Sequence, residues 1–193
     1  MHEREGTDDP DDAGIEARVL AAVEATGQPF EVIEIDPALA DTADFCAHYG
    51  HPLDIAANCL VVASRSEPRV LAACVVLATT RLDVNRTVRK RLGVRRCSLA
   101  PAELTLELTG MQLGGVTPFG LPEVTPAIDE AGRPRPPQPG ELPLWIDAAV
   151  AGPDRVIVGG GSRRLKLLVA PAALPAIGGE LIEQLARPVP TED

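Results

Sequence analysis

The sequence predicts a single α/β domain with a mixed β-sheet and flanking helices. Short apolar, β-branched runs at Cys59–Ala63, Val70–Ala78, Arg155–Val158 and Leu165–Val169 are bounded by turn residues, as buried strands are. Helical apolar spacing falls outside these runs, at Ile15, Val19, Leu20 and Val23 and again at Leu82, Val88 and Leu92. A chain of 193 residues is long enough for one core, and with aromatics at 3% that core must be built from Val, Leu, Ile and Ala.

Each element has its own signal. Residues 1–13 are acidic and lack periodicity, so an N-terminal disordered tail is expected, with the domain over 14–187 and a short tail at 188–193. A helix over Ile15–Thr26 stops at Gly27. Phe30, Val32, Ile33 and Ile35 form a strand, and Thr42 caps a helix that runs to Tyr49 and ends at Gly50. The runs Cys59–Ala63 and Val70–Ala78 are neighbouring central strands, joined by a link with Pro68 that is short enough for a hairpin. An amphipathic helix is expected over Leu82–Leu92, and a second helix over Pro101–Thr109 with Gly110 at its end. Glu123–Glu141 is proline-dense and reads as an extended surface excursion inserted into the domain. Leu144–Ile146 resumes the strands, and Leu174–Leu185 reads as a closing helix.

Charge and cysteine content narrow the function. A net charge of −10 argues against indiscriminate nucleic-acid binding. The distribution is uneven, because Arg81, Arg86, Arg89, Lys90, Arg91, Arg95 and Arg96 crowd one stretch against Asp83 alone, and that density supports phosphate contact. Cys46, Cys59, Cys74 and Cys97 have no CxxC spacing, and His48 and His51 match no cysteine pair, so no metal site is expected. No apolar run approaches membrane-spanning length, and a reduced cytoplasmic protein is the expectation.

Two glycine clusters are the strongest functional signal. Gly114–Pro122 reads GGVTPFGLP, a stiff loop whose glycines permit close backbone approach and whose amides can face a ligand. Gly159, Gly160, Gly161 and Ser162 follow one apolar run and precede another. Together they suggest a pocket lined by main chain. The second cluster lacks the third glycine and the early βαβ unit of a dinucleotide loop. All three histidines precede Pro52, which disfavours a Ser162–His dyad, and Cys59 reads as a core thiol rather than a nucleophile.

The segments LTGMQLGGVTPFGLP (Leu108–Pro122), LPLWID (Leu142–Asp147) and VGGGSRRLKL (Val158–Leu167) resemble the YbaK/ProX-type aminoacyl-tRNA deacylases, whose members also occur as the editing domain inserted in prolyl-tRNA synthetases. The resemblance runs from about Ile15 to Leu185. It implies a strongly curved mixed sheet and hydrolysis of the ester between a mischarged amino acid and the 3′ adenosine of tRNA. It implies no metal or organic cofactor. The partner it implies is the 3′ end of an aminoacyl-tRNA, with prolyl-tRNA synthetase as an associate.

Carried onto matching positions, the catalytic loop is Gly114, Gly115, Val116, Thr117 and Pro118, extended by Phe119 and Gly120 on the substrate side. The opposite wall is Gly159, Gly161 and Ser162. Outside those matched positions, Lys166 and, from the basic run, Arg89 and Lys90 are read as further substrate contacts. The acidic position fits Asp147, with Asp129 as a rival and helix capping as the other reading of Asp147. One position departs. Where the family shows a lysine in a KTLV-like strand, ANCLVV places Asn58, which keeps two donors and carries no charge. Losing a charge-assisted contact there costs roughly 1.5–3 kcal/mol of binding unless Arg81 or Lys166 substitutes. A hydrolase is therefore read beside two alternatives: a lapsed module that binds aminoacyl-tRNA or an adenosine-like ligand, and a protein-docking role for the 123–141 strip.

Overall fold

The computed structural model describes residues 10–189. Of the disordered tail expected over residues 1–13, residues 1–9 lie outside the described residues, as do residues 190–193 of the C-terminal tail, whereas residues 10–13 belong to a helix. The chain is a mixed α/β domain. Helix α1 (Pro10–Glu24) begins earlier than its apolar stripe, with a proline in its first turn, where the missing N–H has no intrahelical partner to lose. Strand β1 (Phe30–Glu34) and helix α2 (Thr42–Tyr49) follow as expected, with Gly50 closing α2 in the left-handed region at φ +73°.

Strands β2 (Ala57–Ser64) and β3 (Leu71–Leu77) form the expected antiparallel hairpin, Ala57 opposite Leu77 through Ala63 opposite Leu71. They sit at the centre of a five-stranded sheet in the order β5-β2-β3-β6-β9, with β5 at Cys97–Leu99, β6 at Leu144–Asp147 and β9 at Glu180–Ile182. The pairs β3–β6 and β6–β9 are parallel, which makes the sheet mixed. A second sheet runs β1-β8-β7, with β7 at Val156–Gly159 and β8 at Leu165–Val169. A parallel bridge from Ala56 to Ile157 joins the two sheets.

Two expectations need correction. The segment Leu82–Leu92 is not one helix. Leu82 ends strand β4 (Thr80–Leu82), and the helix starts after Asp83 as a π-helical turn over Val84–Val88 that leads into α3 (Arg89–Leu92). The closing helix is also absent. Only α5 (Ala173–Ala176) is helical. Gly178 turns the chain at φ +86°, and Gly179 lies so close to β6 that an added Cβ would collide with Ile146 Cδ1. That close approach sets β9 beside β6, and β10 (Ala186–Pro188) then pairs with β4. Helix α4 (Ala102–Thr109) has Pro101 at its cap and ends at Gly110, as its sequence predicts.

The central strands are buried on both faces, so alternate residues feed two cores. Ala73, Val75, Leu144 and Ile146 pack with Ile15, Val19 and Val23 of α1 on one side. Ala72, Cys74, Val76 and Trp145 pack with Leu82, Val88 and Leu92 on the other. A third cluster joins Phe45 and Cys46 of α2 to Ala56 and Ile157. The 123–141 excursion docks beside α3, where Pro136 stands so close to Gly93 that an added Cβ would meet it at 2.8 Å. No helix among the described residues is long and apolar enough to cross a membrane.

Candidate functional site

A cavity of about 110 Å³ opens where β2 and β7 diverge. The Ala56–Ile157 bridge holds one end of the split, and β5 takes over the same edge of β2 from Val62 onward. Between these points residues 57–60 have no partner strand on that side among the described residues, and they form one wall. The other walls are Ile157–Gly159 of β7, Gly114 and Val116 of the first glycine loop, Thr42 and Phe45 of α2, and Lys166 of β8.

The two glycine loops press together backbone to backbone. Gly161 N–H donates to Gly115 O at 2.8 Å. A Cβ on Gly115 would stand 2.5 Å from the Ser162 carbonyl, and one on Gly159 would collide with Val116 O. No residue with a side chain fits either position without displacing main chain. The loop's amides are not equivalent. Gly115 N–H is taken by Gln112 O at 2.9 Å, whereas the N–H groups of Gly114 and Val116 have no hydrogen-bond partner among the described residues. Both residues line the cavity, and neither amide is taken by another described residue.

Lys166 supplies the cavity's charge. It is only 4% exposed, and its Nζ donates to Ala40 O at 2.6 Å and to Gly114 O at 3.0 Å, 5.7 Å from the centre of the Phe45 ring. No carboxylate pairs with it among the described residues. Burial, reinforced by nearby Arg163 and opposed by Asp41, pulls its pKa from 10.5 to about 8. The ammonium therefore persists at neutral pH, tethered by neutral carbonyls that leave its charge uncompensated. Asn58 stands on the β2 wall, where its Oδ1 accepts from Thr42 Oγ1 at 2.7 Å. That bond takes up the hydroxyl expected to cap α2; the cap is Asp41, without a side-chain bond. Cys59 lines the cavity too, but burial pushes its thiol up to about 12, which leaves no thiolate at neutral pH.

The other candidate residues lie elsewhere. Asp147 is buried with both carboxylate oxygens occupied: Oδ1 accepts from Ala149 N at 3.0 Å as a helical cap, and Oδ2 from Ala186 N at 2.7 Å. Asp129 closes a turn of the excursion, accepting from Ala131 N and from Arg133. Ser162 is buried outside the cavity lining; its Oγ donates to Glu16 of α1 and accepts from Arg164 N at 3.0 Å. Gly161 and Gly120 face Val19 of α1. Phe119 is a core residue, and Thr117 and Pro118 are buried behind the loop, the Thr117 hydroxyl without a partner among the described residues. Arg89 and Lys90 sit on the α3 side of the sheet, outside the cavity lining, and Arg81 is on β4. Sequence reasoning missed Phe45, Ile157, Val158 and the Thr42 hydroxyl. The first three read as plain apolar positions, and Thr42 carried a capping signal that outweighed any other.

A family model described as aminoacyl-tRNA editing domain matches residues 36–177. Among solved structures, one assigned provisionally as a trans-editing enzyme for prolyl-tRNA synthetase is 23% identical, covers 87% of this chain and 94% of its own, and superposes with a TM-score of 0.67. A hypothetical protein is 22% identical over 88% of this chain and 99% of its own, with a TM-score of 0.70. At these identities the likeness establishes the fold. Among curated proteins there is no match.

Proposed function

Because this chain belongs to the aminoacyl-tRNA editing domain family, we propose that it acts in trans to hydrolyse the ester between a small mischarged amino acid and the 3′ adenosine of a tRNA. One observation carries the reading: a cavity of about 110 Å³ that pairs free main-chain amides at Gly114 and Val116 with the buried ammonium of Lys166. A cavity of that size takes a small acyl side chain and leaves the nucleoside outside.

In the proposed reaction the acyl carbonyl lies against the glycine loop. Water attacks it, and the negative charge that develops on oxygen is met by the two amides, fixed in advance by the loop packing. Lys166, whose Nζ donates to Gly114 O at 3.0 Å, adds positive charge beside that loop, in a setting where burial strengthens it. It takes over the electrostatic role that Asn58 cannot fill. No cavity side chain is a ready general base, so the attacking water is oriented by the substrate's own 2′-hydroxyl or amino group. The trans-editing assignment of the structural neighbour makes tRNA for proline the first substrate to try.

The test is a deacylation screen, led by Ala- and Cys-charged tRNA for proline. Wild-type turnover is expected. Lys166→Met should lose about 10- to 100-fold in kcat/KM, the scale of one charge-assisted hydrogen bond. Absence of turnover by the wild type on every misacylated tRNA, with turnover appearing in Asn58→Lys, would overturn the hydrolase in favour of a lapsed binding module.

A further inference from the structure

We propose that the exposed cations gathered at the far end of β2, Arg65, Arg86, Arg89, Lys90, Arg95 and Arg96, form a docking surface for the phosphate backbone of an RNA stem whose 3′ end occupies the cavity. The inference rests on the proposed function for the identity of the RNA, and on separate observations for the surface.

The cations come from different segments and are brought together by the fold. Arg65 N–H donates to Arg96 O at 3.0 Å, tying the hairpin turn to the entry of β5, and Arg65, Arg95 and Arg96 line one shallow depression. Arg86 and Lys90 line the neighbouring groove across α3. Carboxylates nearby are already engaged: Asp83 by Arg187 at 2.9 Å, Glu180 by Arg91 at 2.6 Å and Glu141 by Arg135 at 2.6 Å. Exposed Glu183 remains on the groove rim. None of the proposed cations has an ion-pair partner among the described residues. In a chain of net charge −10, such an unpaired basic cluster opposes the global field and favours a local polyanion.

Its position suits an RNA held by its end. Asn58 lies on the cavity wall and Arg65 follows the last residue of the same strand, so the two stand about 23 Å apart at the usual rise per residue. A tRNA spans that distance from its terminal adenosine to the first base pairs of its acceptor stem. The cavity would read the acyl group, and the cations would read regularly spaced phosphates without regard to sequence.

The experiment measures binding of uncharged tRNA to the full chain as a function of salt, in wild type and in the triple variant Arg65→Glu, Arg95→Glu, Arg96→Glu. The expected result is at least a tenfold fall in affinity and a salt slope shallower by about two to three, close to one for each phosphate no longer neutralised. Turnover of a short aminoacyl-adenosine ester should not change, while KM for aminoacyl-tRNA rises. The triple Arg→Lys variant, which keeps the charge, should retain binding and so guards against misfolding. Equal tRNA binding by wild type and the Glu triple variant overturns the proposal. So does equal binding of wild type to polyglutamate or to vesicles of anionic lipid, which would mark an acidic protein or a membrane as the partner. Uncharged tRNA needs no turnover to bind, so a hydrolase reading that fails would leave this result standing.

Discussion

Lys166 is a buried charge without an ion-pair partner among the described residues, and that leaves a mark on stability. Its pKa falls from 10.5 to about 8 on folding, chiefly through burial. Between those values the unfolded chain holds a proton that the folded chain has released, so stability contributed by this site rises with pH across that window. Below about pH 8 the folded protein bears the full cost of the buried ammonium, roughly 3 kcal/mol. Cys59, pushed up to about 12, works in the opposite direction at higher pH. The informative quantity is therefore the difference between Lys166→Met and wild type in urea unfolding from pH 7 to 10. The variant should lead at pH 7 and lose that lead by pH 10. The pair Asn58 and Lys166 makes a second prediction. Asn58→Lys alone adds a like charge to the same small cavity and should lower the Lys166 pKa further. The exchange Asn58→Lys with Lys166→Asn moves a single charge to the other wall and should restore more deacylation than Lys166→Asn alone.

The glycine loops work as a unit, and their glycines divide by what surrounds them. Gly115→Ala and Gly159→Ala each force a methyl into space that main chain already fills, so each should cost about 1–3 kcal/mol or more, read as a lowered urea midpoint. Gly14 is the contrast. It sits exposed within α1 with nothing within 4 Å of an added Cβ, and Gly14→Ala should stabilise by about 0.5–1 kcal/mol. Close approach of this kind is what the sequence made legible. Two glycine-rich segments beside strand-like runs announced a main-chain pocket, and β2 and β3 were plain from composition. Function was harder to separate from capping: Asp147, Ser162 and Thr42 each offer polar atoms that the backbone or a neighbouring element claims. The closing helix failed for a related reason. The apolar spacing over Leu174–Leu185 is genuine, but Gly179 abuts Ile146 so closely that a strand wins. Strand β5, three residues long, carries no pattern that distinguishes it from a loop.

Across the whole molecule, cavity and basic surface occupy different ends of one strand, and the proline-rich excursion packs beside the second rather than the first. It does not line the cavity; it lies along α3, where Arg135 holds Glu141 through two hydrogen bonds of 2.8 and 2.6 Å and Gln138 N–H adds a third of 2.7 Å. The Arg135 guanidinium and that amide hold the Glu141 carboxyl near pKa 2, down from 4.5. The stability this pair contributes is complete above pH 4.5 and is lost as pH falls toward 2. Glu141→Gln should therefore unfold more easily than wild type at pH 6, with the gap closing by pH 2.

Helix α1 braces the glycine loops of the cavity although it lies outside the matched segment 36–177. Val19 plugs against Gly161 and Gly120, and Glu16 holds Ser162. A fragment trimmed to that segment would also forfeit β1, β9 and β10, and with β10 the amide that steadies Asp147. Its paired glycine loops would face water where an aliphatic buttress belongs. Excising the shared portion would therefore yield a protein that keeps the family's signature and loses the shape that gives it meaning.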